Sequence, residues 1–140
     1  MKTGDFGLYD DPGLPQLEHT LQRFPKLKIF GHGPVFWSEI GKLETVGTRG
    51  YVFNHDGGQV GRLPKSKITE EGAVPRLFRL YPNLLGDLSD FTAYNAFARD
   101  EEYGPKFMTE FQDRLYFGTD MCFPTMPVPL PELMIRWNNE

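Results

Sequence analysis

The sequence predicts an α/β fold of about three parallel strands with flanking helices. Two observations carry that expectation. Short apolar runs of strand length alternate with segments whose apolar residues recur every three or four positions. Each run also closes on glycine and a polar residue, as strands leading into helices do. Strands that alternate with helices imply βαβ crossovers and a parallel sheet.

Leu14, Leu17, Leu21 and Phe24 place one apolar stripe on a helix over about 14–24, led in by Asp10-Asp11-Pro12 and stopped by Pro25. Leu27-Lys28-Ile29-Phe30-Gly31 reads as the first strand and His32-Gly33-Pro34 closes it, with a brief helix near 36–40. Between 41 and 67 the pattern fades under Gly47, Gly50, Gly57, Gly58 and Gly61, and Asn54-His55-Asp56-Gly57-Gly58 signals a turn. Thr69 offers an N-cap for the next helix, with Glu70 and Glu71 in its first turn and Val74, Leu77, Phe78 and Tyr81 as the buried stripe. Pro75 is tolerated only near the start of that helix. Leu84-Leu85-Gly86-Asp87-Leu88 is the second strand, followed by a helix from Ser89-Asp90 to about 100 and another over about 105–112. Arg114-Leu115-Tyr116-Phe117-Gly118 is the third strand, ending in Thr119-Asp120. Four prolines, Pro124, Pro127, Pro129 and Pro131, then hold the chain extended before a last helix near Leu133.

Composition narrows the function classes. The 140 residues carry a net charge of −4, and Lys65, Lys67, Arg76 and Arg79, the densest basic group, lack interleaved stacking aromatics, which argues against a nucleic-acid surface. No apolar run approaches the roughly 20 residues of a membrane span, and Met1-Lys2-Thr3-Gly4-Asp5 lacks the apolar core of a secretory signal. Cys122 is the single cysteine, so no intrachain disulfide can form and a cytoplasmic setting is expected. Gly57-Gly58-Gln59-Val60-Gly61 lacks the strand-to-helix setting and Lys-Ser/Thr ending of a phosphate loop.

Two strand ends can carry chemistry. His32 and Asp120 each lie just past the C-terminal end of an apolar strand, where parallel α/β folds bind ligands. An imidazole and a carboxylate there can act on a metal-bound water as ligand, base or proton shuttle. His32 reads equally as a hydrogen-bonded histidine at a helix start, and Asp120 as a cap or turn carboxylate. His19 lies off the apolar stripe and reads as a surface residue, His55 as a loop residue, and Cys122 as a small, partly buried hydrophobe. Asp87 and Ser89 flank the end of the second strand, where Ser89 reads as a helix cap, with substrate contact the minority reading. Phe36 and Trp37 read as core aromatics ahead of pocket lining.

Phe117-Gly118-Thr119-Asp120 resembles the last-strand motif of the amidohydrolase superfamily, in its amidohydrolase-related subgroup of metal-dependent TIM-barrel hydrolases and decarboxylases. Ile29-Phe30-Gly31-His32-Gly33 resembles the sixth strand of that family, and Tyr81-Pro82-Asn83-Leu84-Leu85-Gly86-Asp87-Leu88-Ser89 its seventh. Leu14–Glu18 with Phe24–Leu27 resembles its fifth helix. The resemblance implies a partial (β/α)8 barrel, strands six to eight, forming one incomplete domain over 1–140. It implies that His32 assists proton transfer, that Asp120 ligates a divalent metal, zinc by preference, and takes a proton from water, and that the substrate is a small carbonyl or aromatic acid. The His-X-His pair of the family's first strand and the histidine of its fifth do not occur, so the chain reads as starting after strand five and stopping inside helix eight. A missing N-terminal half or a homo-oligomer would complete the barrel. A non-catalytic remnant or half-barrel subunit, and a small flavodoxin-like binding domain, are the alternatives.

Overall fold

The computed structural model describes residues 10–43, 50–53 and 59–139. In chain order these form α1 (Pro15–Arg23), β1 (Ile29–Gly31), α2 (Gly33–Trp37) running into a 3-10 turn (Ser38–Ile40), β2 (Gly50–Phe53), β3 (Gln59–Arg62), α3 (Ala73–Leu80), β4 (Leu84–Asp87), α4 (Phe91–Ala98), α5 (Tyr103–Phe111), β5 (Leu115–Tyr116) and α6 (Leu130–Asn139). The three expected strands form one open parallel sheet in the order β1-β4-β5. Among the described residues no helix is long and apolar enough to cross a membrane.

Strand alternation splits this sheet into two unlike faces. The register Ile29↔Leu84 and Gly31↔Gly86↔Leu115 turns one set of residues toward the helices. There Ile29, Leu84 and Leu115 join a core to which all six helices contribute, around Trp37, Phe78, Phe97 and Phe107. The two glycines make room for that core, because a Cβ at Gly31 would overlap the Phe36 ring, and one at Gly86 would stand 2.7 Å from Leu115 and 3.1 Å from Trp37. The other face carries Phe30, Leu85, Asp87 and Tyr116. Phe30 and Tyr116 are 50% and 47% exposed, and their rings meet edge to face at 5.2 Å across the strand bearing Leu85, itself 5% exposed. The helical layer therefore covers one side of the sheet, and aromatic side chains line the other.

Helix α1 starts in a costly conformation. Leu14 adopts a left-handed backbone (φ 55°), about 1–2 kcal/mol unfavourable for an L-residue, and its burial at 2% exposure offsets this. The Asp10 carboxylate supplies the cap, accepting from the backbone N–H of Gln16 (3.1 Å) and Leu17 (2.8 Å). At the other end the buried Asn83 amide donates to the carbonyls of Leu21, Phe24 and Leu27 (3.1–3.3 Å), so the residue leading into β4 closes α1. Arg76 on α3 forks onto Glu18, tying the two helices together.

Several boundaries differ from the sequence expectation. Thr69 does not cap α3, which begins at Ala73 with Gly72 as its N-cap. The Gly41↔Glu71 bridge and the Lys42 N–H to Glu70 carbonyl bond (2.9 Å) draw 70–71 into extended pairing instead. The segment expected to lack pattern holds an antiparallel pair, β2 with β3, in register Val52↔Val60. The intervening 54–58 turn, with His55, lies outside the described residues, as does the Met1–Asp5 segment. The last helix starts at Leu130 rather than Leu133, because Pro131 sits in its first turn, where no backbone N–H is needed. β5 spans two residues, ending where its neighbour β4 ends.

Asp100 closes the loop between α4 and α5. Burial opposes its ionisation, yet the backbone N–H groups of Tyr103, Ile68 and Glu102 outweigh burial and hold its pKa below the ordinary 3.8. A carboxyl depressed in the folded state contributes stability that is present above 3.8 and lost as pH falls through the folded value. Urea unfolding of the wild type should therefore weaken below about pH 3.8, and Asp100→Asn should be less stable at pH 7 with a flatter acid dependence. Parallel pH profiles for the two proteins would refute this. In the core, Gly86→Ala should cost about 1–3 kcal/mol by overpacking. Ile135→Ala, on an exposed face of α6, should stay within about 0.5 kcal/mol. Equal urea midpoints for the two variants would contradict the close approach at Gly86.

Candidate functional site

The C-terminal ends of β1 and β4 lie side by side because Gly31 pairs with Gly86. The residue after each of these glycines is polar, His32 just past β1 and Asp87 at the end of β4, so parallel register brings imidazole and carboxylate together. His32 has an extended backbone (φ −145°), and Gly33 then turns the chain into α2 at φ 81°, a conformation that strains any side-chain-bearing residue. The imidazole is 42% exposed at the rim of the sheet.

Two carboxylates flank this ring. Asp87 Oδ2 lies 3.2 Å from His32 Nδ1, and Asp90 Oδ2 lies 3.8 Å from Nε2, beyond hydrogen-bond range. The Ser89 hydroxyl approaches the same Nδ1 at 3.5 Å. Asp87 is itself held at two further atoms. The Ser89 N–H donates to its Oδ1 (2.9 Å), and the indole N–H of Trp37 donates to its backbone carbonyl (2.9 Å). Asp90 is occupied on its other oxygen, where Oδ1 accepts from the Ala93 N–H (2.8 Å) and from the Thr92 hydroxyl. Asp90, and not Ser89, is therefore the N-cap of α4. Its carboxylate reaches the first-turn amide, whereas the Ser89 backbone serves Asp87.

Asp120 occupies the same rim without joining this cluster. The chain leaving β5 passes close to the end of β4, since a Cβ on Gly118 would stand 2.9 Å from Ser89. Asp120 then takes a left-handed backbone (φ 47°) and is exposed. Among the described residues its carboxylate makes no hydrogen bond or ion pair, while its backbone carbonyl lies 3.5 Å from Cys122 Sγ. The sequence places His32 and Asp120 at one mouth; in the structure the carboxylate within hydrogen-bond distance of His32 is that of Asp87, with Asp90 at 3.8 Å on the other ring nitrogen. Cys122, expected to be partly buried, is exposed, as are Met121 and Phe123. His19 is exposed on α1, as expected.

Sequence alone gives Asp90 only a place at a helix start, and Asp87 only a place beside Ser89 at the end of the second strand. A signal for Asp87 was present: Phe30-Gly31-His32 and Leu85-Gly86-Asp87 repeat one apolar-Gly-polar ending, and parallel strands of equal length bring such endings together. Among the described residues no group of three or more His, Cys, Asp or Glu side chains is placed to hold a metal ion. A cleft of about 540 Å³ lined by Lys42, Ile68, Glu70 and Arg99 contains none of the rim residues, and Lys42 there is paired with Glu70 at 2.8 Å.

No family model, curated protein or solved structure matches this chain.

The cap assignment is directly measurable. Asp90→Ala should lower stability by about 0.5–2 kcal/mol, the usual cost of a lost N-cap. Ser89→Ala, which keeps its backbone N–H on Asp87, should change it by less than about 0.5 kcal/mol. Urea denaturation of the two variants checks this, and a reversed order would return the cap to Ser89.

Proposed function

We propose that this chain supplies the sixth to eighth strand–helix units of a (β/α)8 metal-dependent hydrolase of the amidohydrolase type, acting on a small carbonyl or aromatic acid substrate. The observation that carries the reading is the one-sided sheet. Three adjacent parallel strands in sequence order have helices on one face, exposed aromatic residues on the other, and His32, Asp87 and Asp120 at their C-terminal ends. A sector of barrel wall has this arrangement, its bare face turned to the barrel interior. A flavodoxin-like sheet would need helices on both faces.

His32 is the proton-transfer group in this reading. Its ring stands open at the rim, within reach of a substrate entering from the strand ends, and can take a proton from water or substrate and return it. Asp120, exposed and with a carboxylate uncommitted among the described residues, is the single metal ligand proposed within this chain. The described residues do not by themselves fit a resident metal, so the zinc or other divalent ion would draw its remaining ligands from the rest of a completed barrel. That completion would come from a separate N-terminal half or from a second copy. The same ligand count favours a second reading, a half-barrel subunit without catalysis of its own. The lone cysteine fits a cytoplasmic location.

The test uses the completed barrel, either the full reading frame or this chain mixed with its missing half, assayed with divalent metal on small aromatic acids and amides. Asp120→Asn should abolish metal retention and lower turnover by at least the roughly 10²–10⁴-fold that general-base loss costs. His32→Gln should lower turnover over a similar range and keep most of the metal. Cys122→Ser and His19→Gln should stay near wild type. Near-normal turnover and metal content in Asp120→Asn would end the hydrolase reading of this strand. A completed barrel inactive on every substrate would leave the non-catalytic reading.

A further inference from the structure

We infer that Asp87 is a positioning residue that fixes the tautomer of His32, holding the proton on Nδ1 and leaving Nε2 as the nitrogen that exchanges protons with a substrate. The inference rests on His32 being the proton-transfer group, and it assigns a specific role to a residue that the sequence places only at a strand end.

The geometry around the ring is asymmetric. On the Nδ1 side stands a carboxylate oxygen at 3.2 Å, an acceptor that a protonated Nδ1 satisfies and an unprotonated Nδ1 would oppose. On the Nε2 side the nearest carboxylate oxygen is 3.8 Å away, too far to hold a proton in place. A neutral imidazole carries one N–H, and which nitrogen bears it is set by the hydrogen bond the other atoms offer. Here the offer is on Nδ1.

Asp87 is built to make that offer in one orientation. Its Oδ1 is tied to the Ser89 N–H at 2.9 Å, which turns Oδ2 toward the imidazole, and its backbone is tied to the fully buried Trp37 at 2.9 Å. The carboxylate is thus braced from the core, while the ring it orients stays open at the rim. Nε2 then presents a lone pair at the sheet's end, facing the space in front of Asp90. A proton taken up there lands on the side of that second carboxylate. Ser89 adds a hydroxyl at 3.5 Å from Nδ1, too long to compete with Asp87.

The tautomer is read directly by ¹⁵N–¹H correlation spectroscopy of the histidine rings in the full chain labelled with ¹⁵N-histidine. The experiment runs at about pH 8, where imidazoles with ordinary pKa values are neutral. The chain has three histidines, and His32→Gln assigns the signal. The expected wild-type spectrum shows His32 mainly in the Nδ1–H form. Asp87→Ala should invert that population toward the Nε2–H form favoured by a solvated imidazole, while Ser89→Ala should leave it unchanged. A wild-type His32 mainly in the Nε2–H form overturns the inference without any variant. So does an Nδ1–H form that survives Asp87→Ala, or one that Ser89→Ala removes. No substrate or metal enters the measurement, so its failure and the failure of the hydrolase reading are separate results.

Discussion

The indole N–H of Trp37 donates to the backbone carbonyl of Asp87 from inside a core where the ring has no solvent exposure. The bond joins two layers, since Trp37 ends the helix that follows β1 and Asp87 ends β4. Around the indole, Phe36 and Phe97 pack edge to face at 4.9 and 5.2 Å, with Phe107 at 6.3 Å. Such pairs add about 0.5–1.5 kcal/mol each beyond the area they bury. A buried indole N–H also requires an acceptor, and losing it would cost about 1–3 kcal/mol. Packing and polar satisfaction therefore hold the end of β4 in one place, and the rim is built on that fixed point.

The rim shows how a short parallel sheet makes chemistry from register. Neither His32 nor Asp87 is oriented by its own strand alone. Gly31 opposite Gly86 sets them level, Gly33 turns the chain away before it can cover the imidazole, and the Ser89 N–H turns the carboxylate. Asp90, one residue further, stabilises the start of α4 and faces the second ring nitrogen at 3.8 Å. One four-residue stretch, Asp87 to Asp90, thereby ends a strand, caps a helix and surrounds a histidine.

The two faces of the sheet carry opposite constraints. Toward the helices, glycine at 31 and 86 lets aromatic rings approach the backbone closely. On the opposite face, Phe30 and Tyr116 cover Leu85 with each other's edges and remain half exposed. Apolar area of this kind is stabilised by being covered, and three strands with two open edges offer the backbone groups to pair with. This one-sidedness connects the fold to the barrel reading more firmly than any single motif.

Periodicity in the sequence determined the three parallel strands and the helices around them, because apolar spacing and proline placement are local properties that burial then rewards. Leu21, Leu77 and Phe78 are buried where their stripes place them. His32 was likewise legible, as a polar residue following an apolar strand and a glycine. Tertiary structure alone decided the rest. Thr69 lost its capping role to the antiparallel bridge between Gly41 and Glu71, and the β2–β3 pair formed where glycines had hidden its alternation. The carboxylates beside His32 were decided by strand register and by the turn that follows β4. Register joins residues 55 positions apart, and a separation of that kind leaves no periodic trace in the chain.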